Sequence, residues 1–154
     1  MKNTFDFCIG LDPSINTMGF ACFEFATKKL VLHTTNLFEC MKLIESYKEK
    51  GLCKIYVEDP HTNSGYVKGV KSKGKEQGAG AVKAVFKSIQ QLCEYHSISY
   101  QRVSVQATHK LNFAKNKNLF KELSQYNKRS SVHAREAFAC IFPQIAHLIR
   151  HKTL

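Results

Sequence analysis

Four residues, Asp12, Glu58, His133 and Glu136, have the types and spacing to hold a divalent cation. Asp12 closes an apolar run in which Phe5, Phe7, Ile9 and Leu11 alternate with other residues at the period of a half-buried strand. Pro13, Ser14, Asn16 and Gly19 then supply turn chemistry before apolar residues resume at Phe20, Cys22 and Phe23. A second β-rich run, Cys53-Lys54-Ile55-Tyr56-Val57, also ends in acid, at Glu58-Asp59, and Pro60 stops it. Asp59 points to the opposite face from Glu58 if that strand continues, so it is left out of the set. His133 and Glu136 are three apart in the first turn of a helix that begins near Val132, and therefore share a face. Carboxylate oxygens with one imidazole suit Mg2+ or Mn2+, the histidine biasing the set towards Mn2+ or serving as a proton shuttle. Each residue also has a plainer use. Asp12 could only cap its turn, and Glu136 could only complement the helix dipole beside a solvated His133.

Whether the four meet depends on the elements between them. Lys29 to Thr35 reads as a third strand, which makes an antiparallel three-strand meander. Leu37, Phe38, Met41 and Ile44 line one face of a helix that runs to about Lys50, with Gly51 as its stop. Gly78-Ala79-Gly80 leads into a helix with a continuous apolar stripe, Val82, Val85, Phe86, Ile89, Leu92 and Cys93. Ile98 to Val105 is the next strand. Phe138, Phe142, Ile145 and Ile149 give the last helix a buried face, and Pro143 should kink it. The order β-β-β-α-β-α-β-α, with a tail helix, predicts an α/β domain over residues 1–154 with a mixed five-stranded sheet flanked by helices. Right-handed crossovers place the fourth strand beside the first, so Asp12 and Glu58 end adjacent parallel strands, at the sheet edge where ligands bind.

Charge points to the partner. The chain carries 23 Lys and Arg against 12 Asp and Glu, a net charge of +11, and a nucleic-acid backbone is the usual complement to such an excess. No apolar run approaches membrane-spanning length, so no membrane association is expected. The segment from His61 to Gln77 reads as a basic loop just beyond an acidic strand end. It carries Lys68, Lys71, Lys73 and Lys75, with His61 and Tyr66 available to stack on unpaired bases. Lys110 and Lys115 follow the fifth strand, where a lysine could steady a phosphate. The six cysteines are scattered without a CxxC pair, which predicts free thiols and a reducing compartment. Met1 to Gly10 is neither signal-like nor transit-like, so a cytoplasmic protein is expected.

Taken in order, Ile9-Gly10-Leu11-Asp12-Pro13-Ser14 with Gly19, then Val57-Glu58, then Gln77-Gly78-Ala79-Gly80, then His133-Ala134-Arg135-Glu136-Ala137-Phe138-Ala139 resemble the RuvC-type Holliday junction resolvases, of the RNase H-like (retroviral integrase) superfamily. The resemblance spans about Phe5 to Ala146. It departs from the family pattern at Ser14, where glycine is usual, and at Glu136, where aspartate is more usual; His133 matches a variant found within the family. The short length and divergence look more like phage or viral members, which would act in the host cytoplasm. The resemblance implies an RNase H-like fold and metal-dependent cleavage of four-way DNA junctions in recombination and repair, with two Mg2+ ions, replaceable by Mn2+, held by Asp12, Glu58 and Glu136 with His133 assisting. It implies a homodimer formed through the central helix. A nuclease acting on other branched DNA or structured RNA, or a non-catalytic junction-binding module, would share most of these features. An actin-like ATPase or a kinase would need two such domains. Binding of DNA should weaken steeply with salt. About six phosphate contacts would cost roughly a thousandfold in affinity between about 50 and 200 mM salt, as read by a fluorescence titration, and a flat response would count against the basic loop as a phosphate contact.

Overall fold

Period-two alternation sorts the first strand, β1 (Phe7–Asp12), onto two faces in the computed structural model, which describes residues 4–62 and 73–150. Phe7, Ile9 and Leu11 enter one apolar core, while Cys8 enters a second core on the opposite face, the face that Gly10 and Asp12 share. β2 (Met18–Glu24) folds back antiparallel to β1, pairing Asp12 with Gly19, and β3 (Lys29–Thr35) continues the meander. A helix α1 (Leu37–Lys50) follows. Asn36 and Glu39 form a reciprocal capping box at its start, and Lys48 and Lys50 complement the dipole at its end. β4 (Cys53–Asp59) then pairs parallel to β1. A short 3-10 turn (Pro60–Thr62) leaves β4, and the chain returns in α2 (Lys73–Tyr95) and β5 (Ser99–Ser104), which pairs parallel to β4. The sheet order is β3-β2-β1-β4-β5, with β4 beside β1 as the crossover argument required.

Three helices complete the chain: α3 (Val105–Leu111), α4 (Lys117–Ser124) and α5 (Val132–Arg150). α1 and α2 cover the face of Ile9, Leu11, Ile55 and Val57 with Ile44, Phe86 and Ile89. α5 covers the other face, where Phe113, Phe120, Phe138 and Phe142 form a cluster of tilted and edge-on rings. No helix among the described residues is long and apolar enough to cross a membrane. All six cysteines are buried and unpaired, as their spacing suggested.

Three details differ from the sequence expectation. α2 begins at Lys73, not after Gly80, so Lys73 and Lys75 belong to a helix rather than a loop. The strong helix formers Lys75, Glu76, Gln77, Ala79 and Ala81 outweigh the cost of Gly78 and Gly80 between them. β5 stops at Ser104, whose hydroxyl accepts from the Ala107 N–H and caps α3, so Val105 is helical. Gly19 is a strand residue rather than a turn residue.

The reason for Gly19, and for Gly10, is space. A Cβ on Gly10 would stand 2.0 Å from the Ala137 carbonyl oxygen, and one on Gly19 would stand 1.9 Å from that of His133. Both obstacles are the backbone of α5, which a side-chain rotation cannot clear. Gly10→Ala should therefore destabilise the fold by about 3 kcal/mol, a fall in Tm of roughly 6–12 °C. Gly78→Ala meets nothing within 4 Å and should instead stabilise by about 0.5–1 kcal/mol. Thermal melts of the two variants test both signs, and an unchanged Tm for Gly10→Ala would refute the close contact.

Candidate active site

Asp12 ends β1 at the sheet edge with its side chain on the α5 face, only 5% exposed. Its Oδ2 lies 2.7 Å from Nδ1 of His133, in the first turn of α5. Two anchors fix that turn. The Ser131 hydroxyl accepts from the Ala134 N–H at 3.1 Å, and Thr34 on β3 donates to the same hydroxyl at 2.6 Å. Arg135, between the two predicted site residues, turns inward, 7% exposed. Its guanidinium donates to the carbonyls of Phe113 (2.9 Å), Ala114 (2.8 Å) and Ser130 (2.8 Å), tying the α3–α4 connection to the start of α5. One turn further on, the Sγ of buried Cys140 lies 3.6 Å from the Leu11 carbonyl at the end of β1 and 3.5 Å from the Glu136 carbonyl, so its one proton serves either acceptor.

Glu136 faces the same point. Its Oε2 is 3.7 Å from His133 Nδ1, and its Oε1 is 3.6 Å from Nε2 of His109 on α3. One ligand atom from each of Asp12, His133 and Glu136 lies within 4.8 Å of the others. Glu58, on β4, stands outside this trio but lines the same cleft of about 260 Å³, with Pro13, Ser14, His109 and, from α2, Ala79 and Val82. It is turned towards Thr108 of α3, whose hydroxyl donates to Glu58 Oε2 and also lies 2.9 Å from the Val105 carbonyl. That single hydroxyl proton therefore serves one of two acceptors.

The cleft is costly for negative charge. Burial pushes the Asp12 carboxyl up to about 7. The His133 hydrogen bond opposes that shift, and the nearby Glu58 and Glu136 carboxylates add to it. Glu58 is raised by burial against the Thr108 hydrogen bond, with Glu136 adding repulsion. His133 is raised, chiefly by its bond to Asp12 and against its own partial burial. Three carboxylates and one imidazole converging in a half-enclosed cleft fit a hard divalent cation, which would relieve their mutual repulsion.

The four residues expected to act together thus share one cleft. Others do not join it. His61 lies in the 3-10 turn, with its Nδ1 2.8 Å from Asp59 Oδ1 and its ring 5.7 Å from that of Phe86; about half of its side chain is exposed. Asp59, set aside in the sequence, also accepts from the His61 N–H at 2.9 Å and lies 3.8 Å from Arg102, which makes it a brace for the chain leaving β4. Lys110 is exposed on the last turn of α3, and Lys115 is exposed beyond it. Tyr66, Lys68 and Lys71 lie outside the described residues, as do the side chains of Lys73 and Lys75. Sequence reasoning missed Thr108, His109 and Arg135. The signal for the first two was Ser104, an N-cap residue that placed them in one turn of a helix at the same sheet edge.

No protein-family model matches the sequence, and no curated protein matches it. Among solved structures, the chain is similar to Thermus thermophilus RuvC in complex with a Holliday junction substrate, with a TM-score of 0.62 and 8% identity over 95% of each chain. It is also similar to another Thermus thermophilus RuvC structure, with a TM-score of 0.53 and 10% identity over 96% of this chain and 97% of that one. The likeness shows the fold: the mixed five-stranded sheet with its flanking helices is the RNase H-like fold of RuvC.

The raised pKa values set the sign of a pH dependence. Asp12 moves from 3.8 to about 7, and Glu58 and His133 move the same way, so the folded protein holds more protons than the unfolded chain across that range. Stability must then fall as pH rises through it. In EDTA, Tm should drop between about pH 4 and pH 8, and Asp12→Asn should flatten the slope. Adding Mn2+ at about pH 8 should raise the wild-type Tm and leave the variant nearly unchanged. Parallel Tm–pH curves for the two proteins would dismiss Asp12 as the titrating group.

Proposed function

We propose that this chain is a metal-dependent endodeoxyribonuclease that resolves four-way DNA junctions as a homodimer. The observation that carries the reading is the convergence of Asp12, Glu58, His133 and Glu136, from three separate elements, in one cleft at the sheet edge. Two further facts support it. The fold is that of RuvC, one of whose structures holds a Holliday junction substrate. The chain's net charge of +11 suits a substrate with four converging phosphate backbones.

Asp12, His133 and Glu136, with Glu58 turned inward, would hold two Mg2+ ions, for which Mn2+ would substitute. Bound there, these would neutralise charge on the scissile phosphate and lower the pKa of an attacking water. The chain's own groups prepare the site. Asp12 sits at the centre of the sheet edge, fixed by backbone on both sides. Its bond to His133 Nδ1 sets the imidazole's orientation and leaves Nε2 for another partner. The buried walls of β1 and β4 keep bulk water behind the carboxylates. A homodimer would present two such clefts to the two symmetry-related scission points of a junction.

The test is cleavage of a mobile four-way junction with Mg2+, alongside linear duplex, flap and RNA–DNA hybrid. Paired symmetrical nicks in the junction are expected, and EDTA should abolish them. Asp12→Asn and Glu136→Gln should each lower cleavage by at least about two to three orders of magnitude while junction binding persists. Cutting of flaps or hybrids with the junction spared would move the protein to another substrate class on the same site. Binding without any cutting would make it a junction-binding module.

A further inference from the structure

A second hollow adjoins the carboxylate cleft. It has a volume of about 330 Å³, lies between α3 and α5, and shares His109 and Glu136 with the cleft. Ala114, Val132 and Ala139 give it apolar wall, and Thr108 lines it beside them. One neutral amide, Asn112, reaches it from the C-cap of α3, where the backbone is left-handed at φ 59°. Among the described residues, no partner takes that amide's hydrogen bonds. Lys115 sits on the rim, where the surface continues past Asn116, Lys117 and Asn118.

The occupant follows from this chemistry. Whatever enters the hollow while the scissile phosphate is in the cleft must lie within a nucleotide of that phosphate, because the two spaces share a wall. The apolar lining is wrong for a phosphate, and the volume is at the lower end of that of small-ligand pockets. A flat heterocycle with an apolar face and a hydrogen-bonding edge fits. The Asn112 amide offers one donor and one acceptor side by side, the pattern that reads a base edge. His109, whose side chain is 56% exposed, stands at the shared mouth where a base could stack. The basic rim suits the backbone on either side.

We propose that the α3–α5 hollow holds an unpaired nucleobase next to the scissile phosphate and that Asn112 reads its identity. The inference rests on the nuclease reading above, and makes the preferred cutting position depend on one base.

Two variants test it without disturbing the core. Asn112→Gly keeps the left-handed backbone and deletes the amide. Val132→Trp fills the hollow from the exposed first turn of α5, where Val132 is 47% exposed. Cleavage is measured on a set of mobile junctions that present each of the four bases at every position flanking the crossover. Binding is followed in EDTA by 2-aminopurine fluorescence at the same positions. The wild type should prefer one base at one flanking position, by tenfold or more. Asn112→Gly should reduce that preference to within about twofold while still cutting, and Val132→Trp should cut at least tenfold more slowly and lose the 2-aminopurine response. Junction cleavage with no base preference in the wild type, or an unchanged preference in Asn112→Gly, would overturn the inference and leave the nuclease reading intact. A wild type that neither binds nor cuts junctions would overturn both.

Discussion

Everything at the sheet edge depends on how closely α5 lies against β1 and β2. The helix backbone comes near enough that Gly10 and Gly19 cannot carry a Cβ, and Ala134 and Ala137 of α5 are fully buried at the same contact. Without side chains to hold them apart, helix and sheet meet through their main chains. The first turn of α5 then sits directly over the end of β1, where Asp12 points up on the same face. This is why a histidine 121 residues away in sequence can bond Asp12 at 2.7 Å. The contact also explains the two glycines as one device: they are not in register across the β1–β2 pair, and each clears a different carbonyl, of Ala137 or His133, one turn of α5 apart.

That closeness is stabilising for the core and costly for the site. Large aromatics on either side bury their surface fully, which is the main favourable term in a domain of this size. At the edge, the same packing takes carboxylates out of water beside one another. The fold offsets this with neutral or cationic groups at each acid: His133 for Asp12, Thr108 for Glu58, and His109 for Glu136. Each acid has only one or two such contacts, weaker than a bound cation would supply. On the proposed function, a site arranged in this way would trade stability for a place to hold a cation beside a phosphate.

Much of this was legible in the residues. The alternation of Phe7, Ile9 and Leu11 and the apolar stripe of α2 fixed the layers, because burial on one face leaves a period that no other arrangement explains. Asp12 and Glu58 could be placed on adjacent strand ends because crossover handedness is nearly invariant. His133 and Glu136 followed from helical spacing. What stayed hidden was set by tertiary contact. The start of α2 stayed hidden because two glycines look like a helix boundary, yet the residues around them favour helix. Thr108 and His109 were missed because the polarity of α3, a helix of only seven residues, carries no strong period. Arginine is a surface residue by default, so nothing in sequence marks Arg135 as buried. Only its three carbonyl acceptors, contributed by the α3–α4 connection and by Ser130, show that it is structural.

The strongly basic chain and the acidic cleft seem opposed, and the raised carboxyl of Asp12 reconciles them. At a distance, the excess of lysine and arginine draws in a polyanion, over the roughly 8 Å that charges reach at physiological salt. Close to the cleft, three carboxylates would repel the same polyanion if all were ionised. Because burial pushes the Asp12 carboxyl up to about 7, beside the His133 Nδ1 at 2.7 Å, the cleft without a cation would hold less negative charge than its composition suggests. On the proposed function, a phosphate backbone would meet less repulsion there, and Asp12, Glu58, His133 and Glu136 would hold a cation that supplies the missing positive charge. The proposed function would thus divide between different groups: the exposed cations of the surface would attract the backbone, and Asp12, Glu58, His133 and Glu136 would hold the cation.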